Sequence, residues 1–399
     1  MKWCSRCMMP ETNESIVIDD SGVCSVCKNI EYKHTEVDWD ERGRLLDEEI
    51  EKVRGKYLYD AIVPFSGGKD STFTLWYLVK VKKLKVLVIR FDHGFFRPQV
   101  EDNAHRAFRT LGCDVHQFTP NWQVVRKLMF ESLRRRGDFC WHCHTGIFAY
   151  PMWAALRFDS PLLVWGEGGQ EYSSWYGFDE EEESDERRFN LKVNLGINAS
   201  DMVGMLDDTV SDYKVEERDL WPYTFPPARD LKRKGVRSIF LGRYIPWDTK
   251  KNVEIIKQEL GWKGEQVEGV PPQYDYEKIE CYMQGVRDYI RYLKRGYGRT
   301  AHVTSIDIRN GRMSRDEAEK LVEQYDGKRP FALDLFLDIL GVSEEKFHEI
   351  IKPHAVAPWD MPDCGDCQRC NTVPDDIASW SRVTGDIERD RARDAADAE

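Results

Sequence analysis

The chain has 399 residues, enough for two ordinary domains or one large domain with appendages. Its 41% hydrophobic and 12% aromatic content excludes a largely disordered protein. Seventy acidic against 58 basic residues leave a formal charge of −12, which disfavours nonspecific attachment to nucleic acid or anionic membrane. No apolar run approaches the roughly 18–20 residues of a spanning helix. The opening Met1-Lys2-Trp3-Cys4 lacks the apolar stretch of a secretory signal, so a cytoplasmic protein is expected.

In a reducing compartment the eleven cysteines are read through spacing rather than as disulfides. Cys4 and Cys7, Cys24 and Cys27, Cys140 and Cys143, and Cys364, Cys367 and Cys370 fall in C-x-x-C steps, leaving Cys113 and Cys281 isolated. Residues 1–33 hold the first two pairs, with the strand-like Ser15-Ile16-Val17-Ile18 and the turn Asp19-Asp20-Ser21-Gly22 between them. Four thiolates suit a tetrahedral structural zinc, so Cys4, Cys7, Cys24 and Cys27 predict a zinc ribbon that without metal is too short to hold a core.

Residues 34–56 form a charged, helical connector, after which short apolar runs alternate with amphipathic stretches, the pattern of βαβ units and a parallel sheet. The expected elements of a domain over 57–220 are strands at 60–65, 85–90, 114–118 and 161–165, with helices at 70–81 and 101–111. Asp179 to Glu186 carries seven carboxylates in eight residues and reads as a solvated loop. Residues 221–355 turn helical, irregularly so over 221–275; Ser314 and Glu317 form a capping box ahead of Ala318, Leu321, Val322 and Tyr325, and Gly327 stops that helix. A Cys-rich segment (356–380) and a polar, fraying tail (381–399) complete the chain.

Ser66-Gly67-Gly68-Lys69-Asp70-Ser71 lies between the first strand and its helix. The glycines let the backbone approach an anion, the helix N-terminus offers unpaired N–H groups, Lys69 can neutralise phosphate charge, and Ser66 and Ser71 can donate hydroxyl hydrogen bonds. The hexapeptide resembles the PP-loop of the ATP pyrophosphatase superfamily, which implies an adenine nucleotide alpha hydrolase-like α/β domain that splits ATP between the α and β phosphates. The resemblance marks Lys69, Asp70 and Ser71 as catalytic and the whole loop as ATP-binding. Asp92, after the second strand, and Gly166-Glu167, after the fourth, join the ATP site because ligands of open parallel sheets collect at these carboxyl ends; the resemblance implies that Glu167 helps hold Mg²⁺, and an ordinary polar loop is the competing reading for each.

Three stretches resemble the N-acetyl sugar amidotransferases within that superfamily. They are Cys4-Ser-Arg-Cys7-Met-Met-Pro10-Glu-Thr12 with Gly22-Val23-Cys24-Ser-Val-Cys27, then Gly296-Tyr297-Gly298-Arg299, and Ser305-Ile-Asp307-Ile-Arg309-Asn-Gly-Arg312-Met-Ser-Arg315 continued by Tyr325-Asp-Gly-Lys-Arg-Pro330. With the PP-loop the resemblance spans most of residues 1–355. It implies ATP-dependent conversion of a sugar N-acetyl group into an acetamidino group, for surface polysaccharides or nonulosonic acids. Arg299, Arg309, Arg312 and Arg315 would bind a nucleotide-sugar pyrophosphate or a sugar carboxylate, and His302 or Asp307 would handle a proton; structural pairing is the alternative for each.

No cysteine sits in a glutaminase nucleophile context, so the resemblance implies a separate glutaminase subunit, similar to that of imidazole glycerol phosphate synthase, with the acidic loop as a candidate contact. Two features depart from the family: Cys140-Trp-His-Cys143-His144 and Cys364, Cys367 and Cys370. A second zinc, a [4Fe-4S] cluster or free thiols all remain open for them, with His354, Cys281 or the pair at 140 and 143 completing the C-terminal triplet. Some PP-loop tRNA thiolases carry an iron–sulfur cluster on a C-x-x-C at comparable distance, so a tRNA-thiolating enzyme is the competing reading; net charge and the lack of a basic stripe count against it. A non-catalytic nucleotide sensor fits less well with an intact Lys69 and both loop serines.

Overall fold

The computed structural model describes residues 1–166, 168–171, 173, 176–180 and 183–371. Glu167, part of the acidic loop, part of the Cys-rich segment and the tail lie outside the described residues.

Five parallel strands form one sheet in the order β3-β2-β1-β4-β5: β1 (Ala61–Pro64), β2 (Val86–Phe91), β3 (Asp114–Phe118), β4 (Leu162–Trp165) and β5 (Arg237–Phe240). The inner strands β1, β2 and β4 are buried throughout, so their sequences are continuous apolar runs. Their side chains still alternate: Ala61, Val63, Val86 and Val88 enter one core, and Ile62, Leu87, Ile89 and Phe91 the other. The first core is covered by α3 (Lys69–Trp76), α4 (Pro98–Leu111) and α10 (Thr249–Leu260), and the second by α5 (Trp122–Arg136) and α6 (Trp141–Arg157). The chain runs outward from β1 through β2 to β3 and then returns to place β4 on the other side of β1, which opens a crevice at the carboxyl ends of β1 and β4.

The fifth strand is a departure from expectation, since it comes from beyond residue 220, in the stretch read as helical. At four residues after Lys232-Arg-Lys-Gly235 it is too short to show a period. The helix expected over 70–81 is α-helical only to Trp76 and continues as a π-helical turn over Tyr77–Val81. Short helices α7 (Glu186–Arg188), α8 (Ala199–Met205) and α9 (Ala228–Arg233) connect β4 to β5.

At the N-terminus the strand-like run reduces to single bridges, Trp3 with Pro10 and Ile18 with Cys24, followed by α1 (Ser25–Thr35) and the connector α2 (Trp39–Glu51), capped by Asp38. The C-terminal helices are α11 (Gln284–Arg295), α12 (Arg299–Arg309), α13 (Arg315–Tyr325), α14 (Ala332–Leu340) and α15 (Glu344–Ile351). The Ser314–Glu317 capping box opens α13. α5, α11, α14 and α15 share a core around Phe139, Phe336 and Phe347. The ribbon does not stand apart: Met8, Met9 and the four cysteines pack with Tyr297, Ala301 and Ala318. No helix among the described residues is long and apolar enough to cross a membrane.

Candidate active site and metal centre

β1 ends in the loop Ser66–Gly68, and α3 begins at Lys69 with Gly68 as its N-cap. Gly67 has φ +85°, and a Cβ there would come within 2.5 Å of the Val100 side chain, so backbone conformation and space both demand glycine. The loop is internally wired: the amides of Ser66 and Gly68 donate to the hydroxyls of Ser71 and Ser66 at 3.3 Å each, and Ser71 donates to the Gly68 carbonyl at 3.2 Å. The amides of the first turn of α3 have no intrahelical acceptor, which leaves donors facing the crevice. Gly166, at the end of β4, lies so close to α3 that a Cβ would sit 3.1 Å from the Asp70 carbonyl oxygen.

Two cavities adjoin here, sharing Phe148 and Lys278. The first, about 210 Å³, is bounded by Ser66, Asp70, Ser71 and Gly166 on the polar side and by Phe65, Ile89, Phe91 and Trp165 on the apolar side. Polar donors at one end and aromatic walls at the other suit a nucleotide. Arg188 and Glu280 also line it, and neither position carried a sequence signal.

The second cavity, about 460 Å³, has Lys69 in its wall. Its remaining charged lining is Lys278, Arg287, Arg291, Arg299, Arg312, Glu277 and Asp307, six cations against two carboxylates once Lys69 is counted. In a chain of net charge −12 this is a strong local reversal of sign. Glu277 fixes two of the cations: its carboxylate lies 3.1 Å from Lys69 Nζ and 3.3 Å from an Arg299 guanidinium nitrogen. Burial alone would raise its pKa, but Lys69 and Arg299 outweigh burial and hold it well below the ordinary carboxylate range. Lys69 also contacts Asp70 at 2.9 Å, and Arg299 contacts Asp288 at 3.0 Å. Burial first, and Arg299 and Arg291 after it, push His302 well below the usual imidazole value; burial and Arg287 push His144 down to about 3. Both imidazoles in this wall are therefore neutral at physiological pH.

The predicted residues divide. Ser66, Asp70, Ser71 and Gly166 line the first cavity, and Lys69, Arg299, His302, Asp307 and Arg312 the second. Asp92 lines neither: its two oxygens accept from the Gly94 amide and the Thr119 hydroxyl, so it closes a turn beneath the site. Asp307 accepts from Lys250 and from the Tyr274 hydroxyl, both at 2.7 Å, and from Arg312 at 2.9 Å; three donors suit it to bracing rather than to proton transfer. Arg309 and Arg315 point away from the cavities. Arg309 donates to the Glu171 carbonyl and toward Cys7 Sγ, and Arg315 to the Cys4 and Cys7 carbonyls, so both dock the ribbon.

The sulfurs of Cys4 and Cys27 are 3.8 Å apart and those of Cys7 and Cys24 3.7 Å, with all four donor atoms within 4.8 Å of one another. A tetrahedron of sulfurs about 2.3 Å from a metal has edges of about 3.8 Å, so this set fits an ion. The other cysteines do not assemble as expected. Cys140 and Cys143 sit with Cys281 in the core of α5, α11, α14 and α15, and among the described residues they form no joint donor group with Cys364, Cys367 and Cys370. Cys364 is exposed, Cys367 half-buried, and Cys370 accepts the Gly269 amide at 3.2 Å. His354 meets the Arg134 carbonyl instead.

Among known proteins, 89 residues, 22% of this chain, are 32% identical to the glutamine-hydrolyzing GMP synthase of Pyrobaculum aerophilum, of whose length they span 17%. A solved structure, the U34-tRNA thiolase NcsA from Methanococcus maripaludis with its [4Fe-4S] cluster, is 14% identical over 82% of this chain and 90% of its own, with a TM-score of 0.30, too low to support an inference. Residues 272–360 match the family described as LPS biosynthesis protein WbpG-like, C-terminal domain. That match falls on the segment holding Arg299, Arg309, Arg312 and Arg315, whose motifs resemble the N-acetyl sugar amidotransferases, and it supports that resemblance over this part of the chain.

Proposed function

We propose that the protein is an ATP-dependent amidotransferase that converts the N-acetyl group of a sugar or nucleotide sugar into an acetamidino group, in the synthesis of surface polysaccharide or nonulosonic acid. The observation that carries this reading is the pair of adjoining cavities, one apolar and loop-bounded, the other cationic, with Lys69 in the wall of the second and Ser66, Asp70 and Ser71 in that of the first. ATP occupies the first, with its phosphates against the loop; Asp70 and, as the PP-loop resemblance implies, Glu167 would hold Mg²⁺. The anionic part of the sugar substrate, a pyrophosphate or carboxylate, occupies the second against Arg287, Arg291 and Arg312.

An amide oxygen is a poor leaving group, so ammonia cannot displace it directly. The acetamide oxygen attacks the α-phosphorus, the α–β phosphoanhydride bond breaks, and pyrophosphate leaves. Lys69 and the loop amides stabilise the charge that develops on the phosphates. Ammonia then adds to the imidate carbon, the carbon–oxygen bond to AMP breaks, and the amidine keeps the added nitrogen. A neutral His302 lets ammonia approach without adding a charge to an already cationic wall. A separate glutaminase subunit supplies the ammonia, zinc occupies the four-cysteine ribbon, and the protein works in the cytoplasm. The test is pyrophosphate release from ATP with a panel of N-acetylated nucleotide sugars and sugar acids plus ammonium. Release that depends on both supports the reading, and release that depends on tRNA and a sulfur donor overturns it.

One observation favours a second reading, a PP-loop tRNA-thiolating enzyme with an iron–sulfur cluster: Cys140, Cys143 and Cys281 share one core, and His144 and Arg287 beside them line the cationic cavity. Iron and acid-labile sulfide in anaerobically purified protein would favour it.

A further inference from the structure

Away from both cavities, α15 turns Glu344 and His348, one helical turn apart, toward Cys364 of the segment that follows. One donor atom from each of the three side chains lies within 4.8 Å of the others. The second, independent observation is His348 itself: it is 6% exposed, and neither ring nitrogen has a hydrogen-bond partner. A buried polar group left unsatisfied is costly, so a buried imidazole with neither nitrogen paired calls for a partner, and beside a carboxylate and a thiol a metal ion is one that satisfies it. Glu344 is oriented for the same role, since Arg329 donates to each of its oxygens at 2.7 Å and leaves each a second lone pair.

We infer that Glu344, His348 and Cys364 form a second zinc site, distinct from the ribbon. One nitrogen, one carboxylate oxygen and one thiolate are a borderline-soft donor set that suits zinc better than magnesium or calcium. Cys367, half-buried and three residues further on, is an additional thiol of the same segment. The ion would clasp the 363–370 segment to α15. That segment already pairs with Arg329, whose amide donates to the Gln368 carbonyl at 2.8 Å and whose carbonyl accepts the Cys370 amide at 2.9 Å. Three residues before Arg329, Asp326 accepts the Gly298 and Thr300 amides and so caps α12, the helix that carries Arg299 and His302. The clasp therefore braces the cationic cavity from behind.

The experiment measures metal by mass spectrometry on the full-length chain, passed over a chelating resin, for wild type, Cys364→Ser and His348→Ala. Cys364 is exposed, so its serine variant tests the site even if removal of the buried imidazole disturbs folding. Each variant should hold one zinc equivalent less than wild type, and the cobalt-substituted variants should lose the absorption of one mixed-ligand site. Full zinc content in Cys364→Ser, or iron rather than zinc as the equivalent lost, would overturn the inference.

Discussion

Glu277→Gln tests whether the wall of the cationic cavity is held by charge. The carboxylate faces Lys69 at 3.1 Å and Arg299 at 3.3 Å, and at an effective dielectric of 20 each contact is worth about 5 kcal/mol of Coulomb energy. Desolvation offsets much of that, and breaking a buried pair by removing one partner costs about 3–5 kcal/mol. Lys69 keeps Asp70 and Arg299 keeps Asp288, so the lower end, about 3 kcal/mol, is expected. The pH dependence follows from the depressed pKa. Glu277 stabilises the fold at all pH above its unfolded value, near 4.3, and loses that contribution only as pH falls through the lower folded value. Urea denaturation of both proteins should show a gap that is flat from about pH 6 to 8 and narrows on acidification below about pH 4. Turnover should fall together with stability, since Lys69 loses the group that aims it. A gap under about 1 kcal/mol, or one that widens in acid, would refute the reasoning.

Lys69→Ala should lower AMP formation by about 10²–10³-fold while leaving the far-ultraviolet circular dichroism unchanged, and retained turnover would mean that the loop is not catalytic. Asp326→Asn probes the cap of α12: burial raises the aspartate to about 6 despite three backbone donors, from Gly298, Thr300 and Ala301. A carboxyl raised in the fold stabilises most at low pH and loses its contribution as pH rises through that value. Wild-type stability should therefore fall relative to the variant between about pH 4 and 6, measured by denaturant midpoint.

The phosphate loop was legible because its signal is local: a buried apolar strand, two glycines and a helix start lie within a dozen residues. The four ribbon cysteines were legible for the same reason, since C-x-x-C spacing is itself a geometric constraint. The cationic cavity was not, because its wall is assembled from distant segments. α11 is strongly amphipathic, and the polar face of such a helix ordinarily reads as solvated; here Arg287 and Arg291 on that face look into the cavity, and Asp288 is buried against Arg299. Glu277 and Lys278 lie on irregular backbone between Tyr274 and Cys281, where no period exists to expose them.

α12 shows why a stretch rich in arginine need not be one binding surface. Arg299, His302, Val303 and Ile306 fall at i, i+3, i+4 and i+7 and form the stripe that lines the cavity. Ala301, Ser305 and Ile308 lie on another stripe and meet the ribbon, where the Ser305 hydroxyl accepts the Met8 amide at 3.0 Å and Arg309 reaches Cys7. Helical phase thus separates groups that sequence places side by side, turning some to the cationic cavity and others to the four-cysteine cluster. It also joins the two: a metal lost from the cysteines would loosen one side of the helix whose other side carries Arg299 and His302. The ribbon is then a support for the cavity wall, through a helix that lines the cavity with one stripe and packs on the cysteines with another.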